Sequence, residues 1–143
     1  MAKYSSGIFK PKNPQKYVGK GAIQYRSSWE RVLMQVCDQH PNILQWASES
    51  IQIPYLDPNT LKWRMYIPDF FIIYIDRDGK KHGDIIEIKP MSQTLEAAAK
   101  SKSDRAALII NTAKWRSAVT WCNQQGLVFR IMTENEIFRN LSK

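Results

Sequence analysis

The 143-residue chain has only two cysteines and no long apolar run. Its two cysteines, Cys37 and Cys122, belong to no Cys-x-x-Cys pair or Cys/His cluster, which predicts buried free thiols and excludes a disulfide or zinc framework. No apolar run reaches the roughly 18 residues of a membrane span, and the N-terminus lacks the apolar segment of a signal peptide. We therefore expect a soluble intracellular protein.

Acidic residues are also scarce, with 13 Asp and Glu against 21 Lys and Arg, for a net charge of +8. The deficit is uneven, because residues 1–31 carry +6 and residues 97–143 carry +5, whereas residues 32–96 sum to −3. Basic ends around an acidic middle suit a nuclease, since Lys and Arg hold phosphates while carboxylates hold metal ions. A chance distribution on a solvated surface fits the charges equally well. The length and a 43% hydrophobic content predict a single domain with a real core.

The first half of the chain begins with a segment that has no apolar period. Residues 1–24 mix Gly and Pro with lysines, which predicts an extended basic arm ahead of one domain at 25–143. Apolar residues then repeat at helical spacing over 28–39. Alternating or β-branched residues predict strands over 49–55, 62–76 and 81–89, with Asp78-Gly79 as the turn of a hairpin.

The second half changes to helical periodicity. Residues 94–100 predict a short helix, and Ser103 is the expected N-cap of a longer one that ends at Gly126. Its expected apolar stripe consists of Ala106, Ile109, Ile110, Ala113 and Ala118. A strand over 127–132 and a last helix over 134–141 complete an α/β fold with a mixed central sheet in the order α-β-β-β-α-β.

Carboxylates interrupt this apolar pattern near the hairpin. Glu87 and Lys89 share one face of their strand because side chains alternate, and hairpin pairing can bring Asp69 opposite the end of the same strand. Two carboxylates with the backbone carbonyl of Ile88 would make half a coordination shell for Mg²⁺, and Lys89 would orient the attacking water and offset developing negative charge. The alternatives are an ion pair on a solvated sheet for Glu87 and Lys89, and a strand-start polar residue for Asp69.

Glu30 has two interpretations of equal weight. With Ser27 as N-cap it occupies the third helical position, as in a capping box. The same carboxylate could also serve as a metal ligand.

This combination resembles the PD-(D/E)xK, or restriction-endonuclease-like, nucleases. Pro68-Asp69 and Glu87-Ile88-Lys89 match the signature of that fold, and Glu30 matches the acidic residue that many members carry on a helix. Four further segments look like the head-completion nucleases of T-even-type tailed phages, which are related to the N-terminal nuclease domain of Tn7-type transposases. These segments are Tyr25-Arg26-Ser27-Ser28-Trp29-Glu30, Pro41-Asn42-Ile43-Leu44-Gln45-Trp46, Ile53-Pro54-Tyr55 and Tyr66-Ile67-Pro68-Asp69-Phe70.

The resemblance implies a site and a cofactor. It implies that Glu30, Asp69 and Glu87 are acidic metal-site residues and that Lys89 is the catalytic lysine, with one or two Mg²⁺ ions for which Mn²⁺ can substitute. Double-stranded DNA is the expected substrate, and we expect basic side chains of the arm and of the long helix to contact it. These are Lys10, Lys12, Lys16, Lys20, Arg26, Lys114 and Arg116.

The resemblance also implies a setting for the activity. We expect an endonuclease of low sequence specificity that trims packaged phage DNA before the tail docks, in the host cytoplasm or the virion head, next to portal or neck proteins, as a monomer or homodimer. One alternative is a transposase-type or structure-specific nuclease for junctions or flaps. Another is a non-catalytic DNA-binding protein of the capsid vertex, which would keep the basic surface without needing the carboxylates.

Overall fold

A four-stranded mixed sheet forms the centre of the molecule. The computed structural model describes residues 6–90 and 101–136. Their elements, in chain order, are β1 (Gly7–Phe9), a 3-10 turn (Pro14–Lys16), β2 (Ile23–Tyr25), α1 (Ser28–Gln39), β3 (Ile43–Ser48), β4 (Ile53–Leu56), β5 (Trp63–Tyr66), β6 (Phe70–Ile75), β7 (Lys81–Ile88), α2 (Lys102–Gln125) and β8 (Val128–Met132). The predicted α/β class with a mixed central sheet is confirmed.

The central sheet has the strand order β3-β6-β7-β8. Strands β3, β6 and β7 are antiparallel neighbours, and β8 adds to β7 in parallel. The hairpin between β6 and β7 turns at Asp78-Gly79, as predicted, with Gly79 in the left-handed region at φ 80°. Its register pairs Phe70 with Ile86, so the next positions outward are Asp69 and Glu87.

Helix α1 covers one face of the sheet. It begins after Ser27 and ends at Gln39, which confirms the predicted helix. Its buried residues Leu33, Met34 and Cys37 pack in one core with sheet residues such as Trp46 and Ile86. Cys37 and Cys122 are buried free thiols, as expected.

Helix α2 and a separate two-stranded ribbon, β4 with β5, lie on the other face. One side of the ribbon carries Ile53, Tyr55 and Tyr66, which pack with Ala118 of α2. The opposite side of the ribbon is exposed and largely apolar, with Trp63 71% exposed. None of the helices in the described ranges is both long and apolar enough to span a membrane.

Two of the predicted strands were wrong in their bounds. Residues 43–48, which had no predicted element, form β3, an edge strand of the central sheet, while the strand predicted over 49–55 is the shorter β4. The strand predicted over 62–76 is broken into β5 and β6, which belong to different sheets. Pro68 lies at this break because proline cannot donate a backbone hydrogen bond to a neighbouring strand.

The expected extended arm is also wrong for its described part. Residues 7–25 form the β1–β2 pair and the 3-10 turn, and Phe9 and Ile23 are buried in the same core as α1. Lys16 donates from Nζ to the backbone carbonyls of Asp38 and His40, which joins the segment to the C-terminal end of α1. Two isolated apolar residues far apart in the chain have no periodicity, so the sequence pattern gave no sign of this packing.

Helix α2 begins two residues earlier than predicted. Its N-cap is Ser101, which forms a capping box with Asp104, and Gly126 ends the helix in the left-handed conformation, as predicted. The expected apolar stripe was wrong at Ala106 and Ile109, which are exposed. It was right at Ala118, which is buried, and at Ile110 and Ala113, which pack against the same cluster. The helix predicted over 94–100 and the end of the one predicted over 134–141 lie outside the described residues.

Candidate active site

The hairpin register brings Asp69 to the C-terminal end of β7. The backbone N–H of Ile88 donates to Asp69 Oδ2 at 2.8 Å. The backbone carbonyl of Asp69 accepts from the N–H of Glu49 at 3.0 Å. Asp69 is therefore held from both sides, by β7 and by the chain that follows β3, and one oxygen of its carboxylate is tied to the backbone.

Glu87 is buried beside Asp69, on the α2 side of the sheet. The hydroxyl of Tyr66 donates to Glu87 Oε1 at 2.8 Å. Lys89, two residues further along the chain, places its Nζ 3.7 Å from Glu87 Oε2. Glu87 and Lys89 are therefore neighbours, as predicted from their shared strand face. The distance from Lys89 Nζ to Glu87 Oε2 is too long for a hydrogen bond.

Glu30 takes part in the N-cap of α1, while its expected role as a metal ligand stays a prediction. Ser27 Oγ accepts from the Glu30 backbone N–H at 3.1 Å, which caps α1, and the same hydroxyl donates to Glu30 Oε2 at 3.3 Å. The Glu30 side chain thus contacts the N-cap residue Ser27, and Glu30 also lines a cavity together with Asp69.

One cavity of about 280 Å³ contains all four residues that the sequence singled out for catalysis. It lies between the start of α1, the start of β6 and the C-terminal end of β7. Its lining residues are Ser27, Trp29, Glu30, Asp69, Glu87, Ile88, Lys89 and Pro90. The catalytic roles of Glu30, Asp69, Glu87 and Lys89 remain predictions.

The pKa values of the three carboxyl groups that line this cavity are all raised. Burial, and next the charge of the neighbouring Asp69, raise the pKa of Glu87 to about 7 against the opposing effects of Tyr66 and Lys89. Burial also raises the pKa of Asp69, although the Ile88 N–H opposes this. The pKa of Glu30 is raised by burial and next by the charge of Asp69. Such a site favours a proton or another cation.

The donor set is chemically suited to a hard divalent ion. Carboxylate and carbonyl oxygens are the ligands that Mg²⁺ prefers, and the ion usually keeps several waters. Asp69 and Glu87 each have one oxygen tied by a donor, which leaves Oδ1 and Oε2, and Ile88 lines the same cavity. Over residues 6–90 and 101–136, no three His, Cys, Asp or Glu side chains converge closely enough to form a metal site by themselves.

The seven basic residues expected to bind DNA do not form a single group. Lys114 lies over the rings of Tyr55 and Tyr66, with Nζ 5.8 Å from each centroid, and its charge lowers the pKa of Glu87. Arg26 adjoins the start of α1 and pairs with Glu49 at 3.2 Å. The other five lie elsewhere: Lys10 and Lys12 line a cavity beside α1, Lys16 binds the end of α1, Lys20 is exposed near β2, and Arg116 lines a groove beside β8.

Sequence reasoning gave no site role to Tyr66. The residue was noted only as part of a matching segment, because strand alternation can show that a tyrosine is buried but cannot show which carboxylate it meets. The break between β5 and β6, which turns Tyr66 toward β7, depends on tertiary packing.

A mixed sheet that presents an acidic pair and a lysine at one strand end defines a nuclease domain of the restriction-endonuclease-like class. The chain belongs to the family of TnsA-like endonuclease N-terminal domains, whose pattern matches residues 40–134. It is also 35% identical over 141 residues to the head completion nuclease of Enterobacteria phage T4, with 91% of each chain covered. The predicted resemblance and the nuclease class are thereby confirmed.

Proposed function

We propose that the protein is a Mg²⁺-dependent DNA endonuclease in which Asp69, Glu87 and Lys89 carry the chemistry. The observation that supports this most directly is the convergence of buried Glu87, half-buried Asp69 and one amine in a single cavity, with too little positive charge for both carboxylates to ionise easily. Membership of an endonuclease family gives independent support.

Each residue has a distinct task in the proposed reaction. Asp69 Oδ1, Glu87 Oε2 and the Ile88 carbonyl would hold the ion, with Glu30 as a further ligand at the edge of the cavity. A divalent cation bound there supplies Lewis-acid stabilisation of charge on the phosphate. The Lys89 ammonium orients the attacking water by hydrogen bonding and offsets the negative charge that develops on the phosphate oxygens.

The proposed reaction is an in-line hydrolysis. The water oxygen forms a bond to phosphorus while the bond from phosphorus to the 3′ oxygen breaks. The leaving oxygen takes a proton, so the products are 5′-phosphate and 3′-hydroxyl ends. No base-reading group is evident in the cavity, which is consistent with low sequence specificity.

DNA would be held chiefly by basic residues at the cavity. Lys114 and Arg26 would contact phosphates next to the scissile one, since the charge of Lys114 acts on Glu87 and that of Arg26 on Asp69. Exposed Lys10, Lys12, Lys20 and Arg116 would add non-specific attraction that weakens with salt. Lys16 is the weakest candidate, because two backbone carbonyls already bind its amine.

The similarity to a phage head completion nuclease suggests the biological setting. We propose that the enzyme trims DNA ends at a filled phage head before the tail joins, in the host cytoplasm, next to portal or neck proteins. A structure-specific nuclease for junctions or flaps has the same chemistry and differs only in the DNA that it prefers.

Cleavage of a labelled linear duplex with Mg²⁺ tests the proposed chemistry. We expect Lys89→Ala to lose about 10²-fold or more in rate, because it removes the only amine in the described cavity wall. Lys81→Ala, at the exposed start of the same strand, is the matched control and should cleave like the wild type.

Equal rates for the wild type and both variants would rule out the assigned site. Absence of cleavage with every divalent ion, together with DNA binding that is unchanged by EDTA, would favour a non-catalytic binding protein. Junction, flap and nicked substrates assayed in parallel distinguish the end-trimming enzyme from the structure-specific one.

A further inference from the structure

We propose that Tyr66 is a positioning residue for Glu87. Its hydroxyl holds Oε1 and thereby directs Oε2, the oxygen beside Lys89, to the ion. This inference rests on the proposed metal-dependent function and adds a ribbon residue to the site.

The phenol is fixed by its surroundings. Tyr66 is only 4% exposed, and its ring meets the ring of Phe129 edge-on at 6.3 Å between centroids. The backbone of Tyr66 pairs with Ile53 across the ribbon, and the α2 residue Ala118 packs in the same cluster. With so little freedom the hydroxyl can hold one carboxylate oxygen in one place.

The chemistry of the donor also fits the task. A buried carboxylate needs a hydrogen-bond donor, and a lysine or arginine at 2.8 Å would cancel the negative charge that attracts a cation. A neutral phenol satisfies one oxygen and leaves the charge in place. Among the described residues, the Tyr66 hydroxyl is the only side-chain group that donates a hydrogen bond to the Glu87 carboxylate.

Asp69 is held by a similar arrangement. The neutral N–H of Ile88 binds Asp69 Oδ2, as the neutral hydroxyl of Tyr66 binds Glu87 Oε1. Each carboxylate is thus tied through one oxygen without losing its charge, and its second oxygen remains for a ligand. Outer donors that orient metal ligands commonly change metal affinity or activity by about 10–100-fold when they are removed.

Calorimetric titration of the wild type and Tyr66→Phe with Mn²⁺ tests the inference. Phenylalanine keeps the ring and its packing, so we expect the variant to remain folded, with a thermal unfolding midpoint lowered only by the loss of one buried hydrogen bond. We expect about tenfold weaker Mn²⁺ binding, and a cleavage rate that recovers more at saturating Mn²⁺ than at limiting Mn²⁺. A purely structural role would not produce this dependence on ion concentration.

Tyr55→Phe is the matched control. Tyr55 lies on the same side of the ribbon, is as buried as Tyr66, and has Lys114 at the same distance from its ring. Its hydroxyl, however, makes no hydrogen bond to any of the described residues. It should bind Mn²⁺ like the wild type. Unchanged binding in Tyr66→Phe, or equal losses in the two variants, would overturn the positioning role. A wild type that neither binds Mn²⁺ nor cleaves DNA would instead overturn the proposed function, and the inference with it.

Discussion

Strand β7 carries two buried carboxylates whose surroundings differ in one decisive respect. Asp84 and Glu87 are three residues apart, so they point to opposite faces of the sheet, Asp84 toward α1 and Glu87 toward α2. Arg130 on the neighbouring β8 places Nε 2.8 Å from Asp84 Oδ2. Glu87 instead has a neutral phenol on one oxygen, a second carboxylate beside it, and an amine only at 3.7 Å.

The difference distinguishes Asp84, a structural carboxylate, from Glu87, for which we propose a functional role. Burial raises the pKa of both groups. Asp84 has a cation 2.8 Å away, whereas Lys89 lies 3.7 Å from Glu87 and acts on Asp69 as well. A buried charge without a close partner is costly to stability. Its presence is understandable if the missing cation arrives with the ligand, which is the condition expected of a metal site.

The largest expected effect is on catalysis at the Glu87 face alone. We expect Glu87→Gln to lower the rate of DNA cleavage by about 10³-fold, since an amide cannot supply the negative charge that holds the ion. Asp84→Asn, assayed below its unfolding temperature, should cleave within about threefold of the wild type. A comparable loss in both variants would show that the two faces of β7 are not functionally distinct.

Stability should change in the opposite sense. Asp84→Asn removes the partner of Arg130 and should lower the free energy of unfolding by about 1–3 kcal/mol, the smaller end reflecting the partial exposure of Arg130. Glu87→Gln relieves repulsion by Asp69 and should leave the free energy of unfolding unchanged or raise it. Urea unfolding monitored by circular dichroism measures both. A strongly destabilised Glu87→Gln would indicate that Glu87 is a structural residue.

The smallest expected effect is a pH dependence of stability in EDTA. Glu87 has a raised pKa of about 7 in the folded protein and an ordinary value of 4.5 when unfolded. Between these values the folded chain holds a proton that the unfolded chain has lost, so stability is highest below about pH 4.5 and falls as the pH rises through 7.

Comparison of pH 5 with pH 7.5 isolates this contribution. The wild type should lose about 1–2 kcal/mol more stability than Glu87→Gln over this interval, and Asp84→Asn should keep the contribution of Glu87. Parallel pH profiles for the wild type and Glu87→Gln would contradict the raised pKa.

Local sequence patterns were sufficient for the elements whose signals are local. Periodic apolar residues and Ser27 predicted α1, Asp78-Gly79 predicted the hairpin, and Gly126 marked the end of α2. The predictions that were wrong concern segments whose conformation depends on residues far away in the chain. Residues 43–48 have no alternating pattern because the register of this edge strand shifts between Ile43 and Gln45. The N-terminal segment is ordered by Asp38, which accepts hydrogen bonds from the backbone of Lys12 and Asn13.

The sequence by itself determined the candidate chemistry of this protein: the identity of the carboxylates and the lysine, the face that Glu87 shares with Lys89, and the excess of basic charge at both ends. The tertiary structure decided which oxygens remain available and which buried carboxylate is neutralised. Tyr66 reaches Glu87 from another sheet, and Arg130 reaches Asp84 from a strand more than forty residues later in the chain. Side-chain alternation acts within one strand and is readable in sequence, whereas the pairing of charges between strands is fixed only when the chain folds.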